Sequence, residues 1–463
     1  MQLCHTTRAI SARFDDPNLL SAAGLVPVVA LACSAGLGDL ADQHLSVPTD
    51  KGANAGSKVV SLVAGMVAGA DSIDDLALLR HGGMGRVFNK IYAPSTLGSF
   101  LRSFTFGHVR QLDAIASRFL VALGQRTPMV PGPHDPAQRV LVDIDDTLIR
   151  VYGHSKQGAG FGYTGVRGIN VLLGTATMPG SAPVVVGQRL RKGSAGSPRG
   201  AKQFVRATLG TVGSLTAAKP LVRADSAFYG RPTVLTAVAA GADVSVTVRL
   251  DAKVRAAIAG IDQDAWTTIE YPDAVFDDTT GRWISRAEVA EVAFTAFVGQ
   301  RKDEELDGRL VVRRIPDFQA TGQGTLFDTW RFHAFFTTTD PDQMDTVTAD
   351  QTHRQHAIIE QVHADLKNGP LAHLPCRSFT ANAAWLVLAV IAFNLTRALA
   401  ASTGPRLARA TTATIRRTLI TVPARVATSA RRITLHLPDR WPWQHEWHRS
   451  YQAARGSPAT MST

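Results

Sequence analysis

The chain has 463 residues, enough for two or three domains with cores of their own. Its 45% apolar and 19% charged content is that of a soluble globular protein, but 49 basic against 38 acidic residues leave a net charge of +11 that favours a polyanionic partner. Three scattered cysteines, Cys4, Cys33 and Cys376, exclude a disulfide framework or a cysteine-based zinc site and point to a reducing cytoplasm.

The apolar stretch Ala22–Cys33 has the hydropathy of a secretory signal, yet Asp15 and Asp16 precede it and Pro27 interrupts it. The run Ala383–Leu395 is too short to span a bilayer and contains Asn394. Both read as buried helices, so no membrane partner is expected. Residues 1–135 read as a helical N-terminal region with a DNA-binding role. Apolar residues recur at helical spacing in Leu76, Leu78 and Leu79 after Asp74–Asp75, and again from Phe100 to Leu123. Pro94-Ser95-Thr96 predicts a helix start with Ser95 as cap, followed by Leu97, Phe100, Leu101 and Phe104 on one face. Arg102 and Arg110 project from this segment, which is either a surface-charged core helix or a helix-turn-helix element that contacts DNA.

From Arg139 the texture turns to β. Arg139–Val151, Arg167–Thr177 and Pro183–Arg191 predict strands joined by Gly/Ser/Pro turns. A helix over Ala201–Leu215, a strand over Pro220–Ser226, a helix over Pro232–Ala240 and a strand over Asp243–Leu250 follow. The order β-β-β-α-β-α-β predicts an α/β fold with an RNase H-like core, a catalytic domain over 136–400. Residues 251–345 break into what read as short strands and turns, a β-rich insertion. Helices resume near Asp350 and run to about Ala401. The tail 401–463 carries ten arginines against two acids, Asp439 and Glu446, and reads as a DNA-binding or dimerisation segment.

The strongest local signal is Leu141-Val142-Asp143-Ile144-Asp145-Asp146-Thr147. On a strand, Asp143, Asp145 and Thr147 share one face, while Val140, Val142 and Ile144 point to the core. Acids on an apolar strand are costly unless a cation or a hydrogen-bond network compensates them. A structural ion pair is one reading; metal binding is the other, and no Lys or Arg lies between Val140 and Ile149. Asp225 ends a second apolar strand and, beside Asp145, could hold a hard divalent cation through oxygen. A single helix is predicted from Asp350 to Lys367, stopped by Asn368-Gly369-Pro370. Its His353, His356, Glu360, His363 and Lys367 form one polar stripe, readable as a solvated face, as a non-standard zinc site, or as a face that turns Glu360 toward the two aspartates.

In the order and spacing of these pieces, from Ser95-Thr96-Leu97 through Asp-x-Asp-x-Thr and Arg223-Ala224-Asp225-Ser226 to Phe379–Leu395, the chain resembles the DDE transposases of bacterial insertion sequences, most of all the insertion-sequence 1380 group, related to the insertion-sequence 4 group. That resemblance implies Asp145, Asp225 and Glu360 as catalytic and metal-holding acids for two Mg²⁺ ions, with Mn²⁺ as a substitute. It implies binding of inverted-repeat ends and target DNA, strand cleavage and strand transfer, and a homodimer in the DNA complex. The family's Tyr, Arg, Glu, Lys signature is incomplete: Glu360 and Lys367 keep their places, whereas His353 and His356 stand at the Tyr and Arg positions. Arg354 beside them is then a candidate to bind the phosphate in place of the missing arginine. Lys367, His356 and a basic loop of Arg189, Arg191, Lys192, Arg199 and Lys202 are the further DNA-binding candidates, with Arg102. The competing readings are a haloacid dehalogenase-like phosphatase with Asp143 as nucleophile, and a catalytically inactive DNA-binding derivative.

Overall fold

The structure, a computed structural model, describes residues 1–131, 138–162, 165–277, 281–299, 304–316 and 330–455. After the short strand β1 (Leu19–Leu20), its first part is helical: α1 (Leu25–Ser34), α2 (Leu37–His44), α3 (Ala55–Ala68), α4 (Pro94–Arg102) and α5 (Phe106–Arg126). Pro94 occupies the first turn of α4 and the cap position is Ala93, so Ser95 lies inside the helix and caps nothing. The apolar run to Leu123 is two helices, because Thr105 starts a new one: it exchanges bonds with His108 in a reciprocal cap. Leu76–Leu79 sits in a 3₁₀ segment, Asp74–Arg80.

The sheet begins with β2 (Val140–Arg150), β3 (Gly160–Phe161), β4 (Arg167–Thr177) and β5 (Val184–Arg191). Next come α6 (Ala201–Leu215), β6 (Pro220–Ala224), α7 (Arg231–Ala239), β7 (Asp243–Thr247) and α8 (Ala252–Ala259). The order across this part is β5-β4-β2-β6-β7. β2, β6 and β7 run parallel, while β4 is antiparallel to both β2 and β5. This matches the strand and helix succession legible in the sequence, with bounds shifted by a few residues at most.

The segment read as short strands and turns forms β8 (Thr267–Asp277), β9 (Arg282–Ala296), β10 (Leu306–Pro316) and β11 (Trp330–Thr337). These are long, and they are not set apart: β11 pairs antiparallel with β7, so the four strands continue the same sheet to its far edge. Their charged residues obscured them, since antiparallel strands tolerate a polar face. Arg309 and Arg314 are buried by pairing with Glu291 and Glu288 on the neighbouring strand β9.

The predicted helix Asp350–Lys367 is broken. α9 (Thr346–Arg354) begins four residues earlier, capped by Asp345, and a 3₁₀ turn, Gln355–Ala357, separates it from α10 (Ile358–Lys367). Next, α11 (Phe379–Ala401) is apolar and long enough to cross a bilayer, yet it is wholly buried among α5, α3 and β5. Asn394, the polar residue in that run, accepts from the Val185 N–H and donates to its carbonyl, closing the open edge of β5. In the tail, β12 (Ala424–Ser429) pairs with β1 and with β13 (Arg432–His436), and α12 (Gln444–Ala454) buries Trp447 against the N-terminal helices.

Candidate active site

The parallel register of β2 and β6 places Asp143 opposite Arg223 and Ile144 opposite Ala224, so the next rung brings Asp145 level with Asp225. Asp225 stands just past the carboxyl end of β6, where it caps a short 3₁₀ turn through its bond from the Ala227 N–H, and Asp145 lies beside it in the middle of β2, which runs on to Arg150. Burial pushes the Asp145 carboxyl up to about 6, and the negative charges of Asp146 and Asp225 push it further the same way. Asp225 is raised as well, by burial first and by Asp146. Neither pairs with an Arg or Lys among the described residues: Asp145 accepts from the Asp146 N–H at 2.7 Å and lies 3.6 Å from the His363 ring.

Their neighbours differ. Asp143 is fully buried and gripped by Arg223 at two points, 2.7 and 2.8 Å, with His356 Nδ1–H donating to it at 2.8 Å. A carboxylate that is fully buried and ion-paired is not presented to a phosphoester, as the phosphatase alternative requires of Asp143. Asp146 is bound by Arg191 at 2.5 Å, by Ser197 at 2.9 Å and by the Asn170 amide. So four acids crowd the place where β6 ends beside the middle of β2, and two of them pair with no Arg or Lys among the described residues. That donor set is hard oxygen, and a divalent cation fits it because it would relieve the like-charge repulsion that raises both carboxyls.

Glu360 stands in the first turn of α10, exposed, and forms no hydrogen bond or ion pair among the described residues. Likewise no three His, Cys, Asp or Glu side chains converge at metal-ligand distance among those residues. Its stripe neighbours do reach the acids: His356 touches Asp143, His363 approaches Asp145, and Lys367 donates to Thr147 Oγ1 at 2.6 Å. Half-burial lowers the Lys367 ammonium, and Asp145 raises it again. His363 is held down at about 4 by burial, with its Nε2 enclosed and unpartnered.

The other candidates separate into committed and free groups. His353 leaves the stripe altogether: it stacks on Phe335 at 4.1 Å, bonds Ser245 and Thr247 through its two nitrogens, and is held neutral by burial, at about 3. Arg354 bonds Asp350 at 2.8 Å and lies 4.8 Å over Tyr271, turned toward β8. Arg191 is spent internally, on Asp146 and on the carbonyls of Ser197 and Arg199, and folds the loop around itself; Arg189 is half-buried beside Asp113 and Arg110. Lys192 and Arg199 project from the anchored loop into solvent, Lys202 is exposed in the first turn of α6, and Arg102 is exposed in the last turn of α4, beside Ser99. Sequence reasoning passed over Arg223 and Asp146. The available signal was an arginine in the middle of an apolar strand, two residues before an acid, as in Leu221-Val222-Arg223-Ala224-Asp225.

A family model described as "Transposase DDE domain group 1" matches residues 3–458. No curated protein matches the chain. Among solved structures it is similar to a piggyBac transposase synaptic complex with hairpin DNA, at 10% identity, over 85% of this chain and 79% of that one, with a TM-score of 0.43.

Proposed function

The chain belongs to the transposase DDE domain group 1 family, and from that premise we propose that it binds the inverted-repeat ends of an insertion sequence and catalyses their metal-dependent cleavage and transfer into target DNA. Within the family we assign it to the insertion-sequence 1380 group, with an RNase H-like core formed by β5-β4-β2-β6-β7. One observation carries the catalytic reading. Of four clustered acids, Asp143 and Asp146 are neutralised by arginines, whereas Asp145 and Asp225 are desolvated, adjacent and without such a partner. Structural carboxylates are paired when buried; two unpaired ones side by side across parallel strands are the arrangement expected of metal ligands.

Asp145 and Asp225 would hold the divalent cations, Mg²⁺ or Mn²⁺, with Glu360 as the third acid. When bound, these ions supply an activated water and stabilise the leaving 3′ oxygen in phosphodiester cleavage. The chain's own groups do the positioning. Lys367, fixed on Thr147 beside Asp145, presents an ammonium to a phosphate oxygen at the cut end. Lys192 and Arg199, on a loop that Asp146 and Arg191 tie to the acid-bearing strand, and Lys202, in the first turn of α6, supply backbone contacts. The Arg-rich tail and Arg102 add sequence-independent affinity, and two copies of the chain bring two ends together.

The test uses duplexes carrying the genomic DNA that flanks the coding sequence. Wild-type protein with Mg²⁺ should bind an inverted repeat and leave 3′-hydroxyl breaks at its boundary, and Asp145→Ala and Asp225→Ala should bind without cutting. Binding without cutting by the wild type would make the chain an inactive derivative. Neither binding nor cutting would sink the reading.

A further inference from the structure

We infer that Arg223 and Asp143 form a positioning unit that holds the break between α9 and α10 and thereby sets where the polar stripe of α10 stands over Asp145 and Asp225; its functional meaning rests on the transposase reading. The pair occupies one rung of the β2–β6 ladder, two residues before the level of the two acids and therefore, by the alternation of a strand, on the same face. Arg223 is fully buried, and its donors do not stop at Asp143. Nη1 donates to the Thr352 carbonyl and Nη2 approaches the Gln355 carbonyl at 3.4 Å.

Those carbonyls belong to the last turn of α9 and its cap, where intrahelical donors run out. A buried guanidinium there both satisfies them and places positive charge at the negative end of the helix. Asp143 completes the unit from the other side, since its Oδ1 also meets His356 in the 3₁₀ turn. Strand, strand and helix break are thus joined at one buried point. From that point α10 departs with Glu360, with His363 at 3.6 Å from Asp145 and with Lys367 on Thr147. A buried ion pair serving stability alone could be replaced by apolar side chains of similar volume. Apolar side chains cannot hold the carbonyls of a helix end.

The experiment compares full-length wild type with Arg223→Lys and with the double variant Asp143→Leu/Arg223→Met. Two readouts are independent of DNA: amide hydrogen exchange of residues 352–363, and Mn²⁺ affinity by electron paramagnetic resonance. We expect both variants to unfold cooperatively, with exchange at the break at least about tenfold faster and Mn²⁺ bound about tenfold or more weakly, the range seen when groups behind metal ligands are lost. In cleavage, kcat should fall while KM for the DNA end stays put. A folded variant with unchanged exchange and unchanged Mn²⁺ affinity overturns the inference. So does failure of both variants to fold, because the pair is then a structural necessity with no separable role. Wild-type protein that neither binds nor cuts DNA sinks the transposase reading and leaves the exchange comparison standing.

Discussion

Asp143 and Asp145 lie two residues apart on one face of one strand, yet Asp143 is locked to Arg223 at two points while Asp145 pairs with no Arg or Lys among the described residues. Removing one carboxylate and removing the other should therefore move stability in opposite directions.

Asp143→Asn removes the charge that neutralises Arg223 inside the core. Breaking one side of a buried ion pair costs about 3–5 kcal/mol. The variant should lose that much in urea unfolding at pH 7. A change below about 1 kcal/mol would show that the pair is reorganised without penalty.

Asp145→Asn should have the opposite effect on stability. With its carboxyl raised to about 6, the folded state binds more protons than the unfolded state between the ordinary value of 3.8 and 6. Stability therefore falls as pH rises through that window, and the full cost is present above 6. Since the side chain is 23% exposed, removing its charge should stabilise the protein by up to about 3 kcal/mol at pH 7. Cleavage should be lost, and Mg²⁺ should raise the melting temperature of wild type and not of the variant. A destabilised Asp145→Asn that still responds to Mg²⁺ would remove Asp145 from the site.

His353 supplies an acid dependence of the other sign. Its imidazole is buried and neutral, at about 3, against 6.5 in the unfolded chain. Between those values the unfolded state binds more protons, so stability is complete above 6.5 and drains away as pH falls toward 3. The loss should reach about 2 kcal/mol by pH 5. His353→Gln should flatten that part of the pH–stability profile. An unchanged profile would mean that the ring is already solvated. At pH 6 to 8 His353 is held neutral by burial, and its ring serves packing against Phe335.

The ten arginines of the tail should contribute far less to DNA affinity than their number implies. Arg406, Arg425 and Arg440 face acids, Arg409, Arg416 and Arg449 donate to carbonyls, and Arg455 lies over Tyr451. Arg417, Arg431 and Arg432 are exposed without partners among the described residues. Replacing these three with Gln should lower the log–log salt slope of DNA binding by about 2 to 3, since each phosphate left unneutralised removes about 0.9. An unchanged slope would place the DNA elsewhere. Deleting 401–463 is a poorer test, because β12 pairs with β1 and Arg416 donates to the Val67 carbonyl of α3. That deletion should unfold the N-terminal helices.

What the sequence determined by itself is whatever rests on short-range periodicity. The alternation around Asp143 and Asp145 marked β2, the run Ala201–Leu215 marked α6, and the strand–helix succession to β7 followed from apolar spacing and Gly/Ser/Pro punctuation. Side-chain direction along a strand or helix is local, so the crowding of acids on one face was legible as well. Only the tertiary structure decided what each acid does. Asp143 differs from Asp145 because Arg223, 80 residues away, reaches one and not the other. The polar stripe from His353 to Lys367 read as one helix because its spacing is helical throughout. The break at Gln355–Ala357 coincides with two backbone carbonyls meeting a buried guanidinium from another strand. His353 then turned inward to Phe335 and Glu360 stayed in solvent. Burial and ion pairing depend on which strands lie side by side, and no local spacing carries that information.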